Sequence, residues 1–269
     1  MTDKKYDLTI LTIKDPPLPD PIEQDPRLPN VSQGACILDV AKPRSGKSVR
    51  IVNMLMNPNF YAEKFDEVFI YSPTIGAGDH TTRHLYDRYK RTIYNEYSDK
   101  HLQGLLDYLD SIPKEQRGRY CIVFDDLIAF GFLKPNSLMF RMASSYRHHL
   151  NGGMVYYSVQ QLKKCPPIVR ASANYVIISQ NSNVKQIEAM SEEFGVVYGA
   201  ENWLKLYEEC TAEPFSFMYL DLYGYTLDNN HRPKVYKRFD EMIYEAPISY
   251  SRSNGDLDTI VEEVDDDTK

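Results

Sequence analysis

Gly46, Lys47 and Ser48 stand in direct succession, and a pair of carboxylates, Asp125 and Asp126, stands 78 residues beyond the lysine. An apolar run precedes each group: "ACILDV" (35–40) leads into residues 41–48, and "YCIVF" (120–124) leads into the aspartates. These residue types suit the chemistry of a nucleoside triphosphate. Backbone amides at a helix start form a nest for anions, and Gly46 lets the backbone come close to phosphates. Lys47 would bridge the β- and γ-phosphates, and the Ser48 hydroxyl would hold Mg2+. Asp125, at the end of a buried strand, would hold the same ion through water, and Asp126 would polarise the attacking water.

The loop reads Ala41-Lys42-Pro43-Arg44-Ser45-Gly46-Lys47-Ser48. It departs from the G-x-x-x-x-G-K-[ST] phosphate-loop pattern only in its first residue. That position needs a small side chain at the strand exit, so alanine serves if its φ stays negative. Pro43 removes one amide early in the loop, where the anion nest can spare it.

Two further groups bear on turnover. "MVYYSVQQ" (154–161) ends a strand in glutamine. A strand-terminal amide can touch both a γ-phosphate and a water; Gln160 is preferred, with Gln161 next to it. "ASSYRHHLNGG" (143–153) puts Arg147 just before that strand. Arg147 would then stand at the sheet edge away from its own nucleotide, placed to reach the γ-phosphate of a neighbouring subunit; Arg141 and Arg170 are the other candidates. His148 and His149 have no metal partners in the sequence and read as structural or DNA-facing.

The elements that must position these groups follow from hydrophobic patterning. Strands are expected at 35–40, 67–72, 119–124, 154–159, 175–179 and 215–223, and helices at 47–56, 99–110, 136–150, 183–194 and 201–210. Near-continuous apolar strands alternating with helices predict an α/β fold, a P-loop NTPase whose mostly parallel central sheet has helices on both faces in a three-layer sandwich. Ligands of such sheets bind at the carboxyl ends of the strands. Residues 1–32 form a Pro-rich extended arm, 33–245 the ATPase domain and 246–269 an acidic, disordered tail. Without residues 254–269 the net charge of −7 becomes nearly neutral, with 31 acids against 30 bases, and a neutral body can still carry basic patches. Such stretches are 83–91, 160–164 and 231–238, each of which also suits a solvated face. The four cysteines lack metal-type spacing and read as reduced core thiols. No apolar run approaches the roughly 18 residues of a bilayer span, so no membrane insertion is expected.

In order along the chain, "LDVAKPRSGKS", "CIVFDD", "RHHLNGGMVYYSVQQ" and "CPPIVRASANYVIIS" resemble the genome-packaging ATPases of poxviruses, other large DNA viruses, virophages and related elements. These belong to the FtsK–HerA superfamily of DNA-pumping ATPases. The resemblance spans about residues 33–182 and extends more loosely to 240. It implies ATP and Mg2+ at loop 41–48, with Lys47 and Ser48 in the nucleotide loop and Asp125 and Asp126 as the second motif. It likewise implies that Gln160 is the strand-end glutamine and Arg147 the trans-acting arginine. Double-stranded DNA, a homo-oligomeric ring (pentamer or hexamer) and a capsid vertex protein are the implied partners. The implied setting is the host cytoplasm or a viral factory, or the virion. The sequence departs from the family at Ala41, for glycine, and at Asp126, where many members have glutamate. A helicase-like replication ATPase is the alternative. A small-molecule kinase would call for an arginine-rich lid that is not evident, and a GTPase for an Asn-Lys-x-Asp motif.

Overall fold

The computed structural model describes residues 22–76, 78–126, 136–196, 198–222 and 232–246. In chain order the elements are β1 (Ala35–Val40), α1 (Lys47–Met56), β2 (Glu67–Tyr71), α2 (Arg83–Tyr89), β3 (Ile93–Tyr94), α3 (Asp99–Ser111), β4 (Tyr120–Phe124), α4 (Leu138–Leu150), β5 (Met154–Val159), α5 (Pro167–Ser172), β6 (Tyr175–Ser179), α6 (Val184–Phe194), α7 (Ala200–Thr211), β7 (Phe217–Asp221), β8 (Lys234–Lys237) and β9 (Glu241–Glu245). Among the described residues the strands form one sheet in the order β3-β2-β4-β5-β1-β6-β7-β8-β9. The first six in that order pair in parallel. The last three add as antiparallel strands.

Both faces of the sheet are covered, which is why its strands read as unbroken apolar runs rather than alternating ones. Cys36, Leu38 and Val40 of β1 point to the layer that holds α3 to α7. Ala35 and Ile37 point to the opposite layer, with Ile51, Met54 and Leu55 of α1 and Leu85 of α2. The expected three-layer α/β architecture is therefore the one observed. The register sets the site: Val40 pairs with Val159, and Phe124 with Tyr157. The chain thus leaves β1, β4 and β5 at one edge of the sheet, their carboxyl ends.

The turn into β5 depends on glycine. Asn151, Gly152 and Gly153 all have positive φ. A Cβ on Gly153 would come within 2.1 Å of the Tyr120 carbonyl oxygen, so no larger residue fits between α4 and the start of β4.

Several elements differ from expectation. The basic stretch 83–91 is largely helix α2, and α5 begins with proline in its first turn, too short to register as a periodic pattern. Strand β3 has two residues, and β8 and β9 form a polar-edged hairpin. Most of the expected N-terminal arm lies outside the described residues. Its described part packs on the body, with Leu28 and Val31 buried and the Tyr61 hydroxyl donating to the Pro29 carbonyl at 2.6 Å. Of the expected acidic tail, only the buried Ala246 is described. All four cysteines are buried and free. No helix among the described residues is long and apolar enough to cross a membrane.

Candidate nucleotide site

Loop 41–46 is tied down at both ends. The Ala41 amide donates to the Val159 carbonyl at 2.9 Å, and the Ser45 hydroxyl donates to the Lys42 carbonyl at 2.8 Å. Positive φ falls on Arg44 (65°) and Gly46 (85°), not on Ala41. Ala41 is buried, so a small residue with ordinary backbone suffices where glycine is usual. Lys42, Pro43 and Arg44 form the outer part of the loop, and Lys47 opens α1 with Ser48 behind it.

Lys47 Nζ lies 3.4 Å from Asp125 Oδ1. The other carboxylate oxygen, Oδ2, accepts from the Ser72 hydroxyl at 2.9 Å and from the Thr74 hydroxyl at 3.4 Å. Oδ1 is buried and receives no hydrogen bond from the described residues; its contact with Lys47 is an ion pair whose geometry is not that of a hydrogen bond. An orphaned, buried carboxylate oxygen beside the lysine that opens α1 fits a hydrated divalent cation. Among the described residues no cluster of three His, Cys, Asp or Glu could bind a metal by protein ligands alone. A phosphate-bridged Mg2+ needs no such cluster.

Asp126 has φ of 50°, a left-handed turn directly after its strand. This turn brings its Oδ1 to 2.9 Å from Gln160 Nε2, which donates to it across the neighbouring ends of β4 and β5. Gln160 therefore meets the acidic pair, whereas Gln161 is exposed and precedes the short helix at 162–164.

A buried polar network under the loop was not foreseen from the sequence. Arg50 Nη2 donates to Asp39 Oδ1 at 2.8 Å and to Ser179 Oγ at 2.9 Å, and Nη1 donates to the Ser45 carbonyl at 3.4 Å. The Tyr156 hydroxyl donates to Asp39 Oδ2. Burial alone would lower the Arg50 pKa, but Asp39 and Tyr156 together outweigh it and hold the guanidinium above its usual range. Burial, then Asp39, pushes the Tyr156 phenol well up, so it stays a proton donor. The network joins β1, α1, β5 and β6 to the loop. Its one signal in the sequence was an aspartate inside an apolar strand, which must find a partner when buried.

Arg147 lies at the far edge. It lies in the last turn of α4 beside Gly34, whose Cβ would meet Arg147 Cγ at 3.1 Å, and its Nε donates to the Tyr146 hydroxyl at 3.2 Å. The site's own structure thus does not bring Arg147 to Lys47. Arg170 pairs with Glu193 at 2.7 Å, and Arg141 is exposed on α4. His149 Nδ1 meets Asp110 Oδ2 at 2.8 Å. In the basic stretches, Arg83, Arg88, Arg232, Lys234, Lys237 and Arg238 make ion pairs with carboxylates.

The sequence matches no family model and no curated protein. Solved structures do match. Against the genome packaging NTPase B204 from Sulfolobus turreted icosahedral virus 2 in complex with AMPPCP, the TM-score is 0.54 at 17% identity, covering 77% of this chain and 98% of that one. The chain shares the fold of a viral genome-packaging NTPase. The sulfate complex of the same NTPase gives 0.51 at 15% identity over 77% and 97% of the two chains. B204, the DNA-packaging ATPase from Sulfolobus turreted icosahedral virus, gives 0.53 at 16% identity over 75% and 96%. At these identities the likeness to the packaging NTPases is one of fold, and it extends over nearly their whole length.

Proposed function

We propose that this chain is an ATP-driven translocase that packages double-stranded viral DNA, hydrolysing ATP at the subunit interfaces of a homo-oligomeric ring. The carrying observation is the approach of Lys47 to Asp125, with Asp126 and Gln160 beside them at the edge where the loop ends. The packaging part of the reading draws on the sequence resemblance and on a fold shared with packaging NTPases.

Each residue then has a step. Lys47 exchanges Asp125 for the β- and γ-phosphates when the triphosphate enters loop 41–48, whose amides hold it. Ser48 and Asp125 are the residues that would hold Mg2+, which would neutralise phosphate charge when bound. Asp126 orients a water and takes its proton as the water oxygen bonds the γ-phosphorus and the bond to the β–γ bridging oxygen breaks. Gln160 turns from Asp126 toward the γ-phosphate and so reports its presence to β5. Arg147, on the edge remote from its own loop, serves the neighbour's γ-phosphate, so hydrolysis biases each interface between two geometries. Duplex DNA is moved through its phosphates, without regard to base sequence. The host cytoplasm or a viral factory is the setting, and a capsid vertex protein the docking partner.

The reading is tested by mixing wild-type and Arg147→Ala subunits with duplex DNA present. A trans-acting arginine gives an activity loss steeper than the mutant fraction. A loss in strict proportion, or no stimulation of wild type by DNA, contradicts it.

A further inference from the structure

Phe215 occupies a position that folding alone does not explain. Ser216 donates its N–H to the Glu213 carbonyl at 3.1 Å, closing a turn with Pro214 second and Phe215 third. Phe215 has φ of 62°. Proline followed by positive φ is the type II pattern, and its third position favours glycine because an L side chain is strained there. Yet the residue is a large aromatic, and it is 70% exposed. It strains the backbone and buries little surface. A strained residue that does not serve packing points to a ligand.

The ring borders the phosphate loop. A Cβ built on Gly46 would lie 3.6 Å from the Phe215 ring. Beside them opens a cavity of about 600 Å3, running along α1 past Val49 and Asn53 and floored by Phe60, Phe217 and Phe239. Phe239 packs edge-on against the other two, 5.5 Å from Phe60 and 5.1 Å from Phe217. Arg238, paired with Asp240 at 3.3 Å, also lines the cavity. Its size and aromatic walls are those of a small-molecule site. It begins where the loop becomes helix, against Gly46 of the loop and Val49 and Arg50 of α1.

We infer that this cavity receives the purine base of the triphosphate, stacked on Phe215. The inference rests on the nucleotide reading of loop 41–48. The turn at 213–216 fixes the ring in place before ligand arrives, and π-stacking supplies affinity without a fixed set of donors.

The test compares affinities of the full chain for ATP and for inorganic tripolyphosphate, by calorimetry, in wild type, Phe215→Ala and Phe215→Tyr. Phe215→Ala should weaken ATP about 10-fold or more, as loss of one stacking partner does. Tripolyphosphate, which has no base, should bind both alike, and Phe215→Tyr should restore ATP. If Phe215→Ala binds ATP as wild type does, the base assignment is overturned while the loop reading stands. If wild type binds neither ligand, the loop reading fails and takes this one with it. Unchanged ATP affinity with altered sedimentation would instead mean that the ring seats a second copy, and would equally overturn the inference.

Discussion

Lys47 Nζ and Asp125 Oδ1 meet at 3.4 Å although the strands that lead to them, β1 and β4, are separated in the sheet by β5. The strand between the two, β5, is followed directly by Gln160, which donates to Asp126 at 2.9 Å. On the proposed reading, that placement lets Gln160 report the γ-phosphate to β5.

The Asp125 side chain is 2% exposed and is paired with Lys47. Lys47→Met should therefore lower unfolding stability by about 2 kcal/mol, and adding Asp125→Asn should recover most of it. Urea unfolding of the two single variants and the double variant gives the coupling directly.

Arg50 is the only cation that hydrogen-bonds the buried Asp39 among the described residues. Arg50→Leu leaves that carboxylate uncompensated and should cost about 3–5 kcal/mol, whereas Arg50→Leu with Asp39→Leu should cost much less. Chemical denaturation compares the two; equal losses would mean the pair does not act as a unit.

Gln160 donates to Asp126, and Gln161 faces solvent. Gln160→Ala should reduce kcat about 10-fold or more with little change in KM, the signature of an interaction made in the transition state. Gln161→Ala should behave as wild type in the same steady-state assay.

Most of the site was legible because its residues terminate strands of strong apolar character. The runs at 35–40, 154–159 and 175–179 appear as strands with those same bounds, and α1 begins at Lys47 as the loop pattern requires. The Asp39–Arg50–Tyr156–Ser179 network was not legible. It joins four elements distant in sequence, and no local spacing encodes it. Ser72 and Thr74 were missed as partners of Asp125 for the same reason. Strands β8 and β9 escaped because lysines and glutamates fill their edges, and propensity is weak at a sheet margin.

Burial pushes the thiols of Cys165 and Cys210 from the usual 9.0 up to about 12, and raises those of Cys36 and Cys121 as well. Between pH 9 and 12 the unfolded chain gives up thiol protons that the folded chain keeps. The unfolded state then binds fewer protons, so stability falls as pH rises through that window. Urea midpoints should decline from pH 9 upward, and a thiol reagent at pH 8 should label none of the four cysteines until denaturant is added.

On the proposed function, Lys47 and the Asp125–Asp126 pair act on one bound triphosphate. Steady-state ATP hydrolysis with Mg2+, measured for wild type and for Lys47→Ala of verified fold, tests it most directly. Wild type should turn over ATP, and the variant should lose about 100-fold or more, the scale expected for removing a principal charge stabiliser. Hydrolysis by Lys47→Ala at the wild-type rate would contradict it.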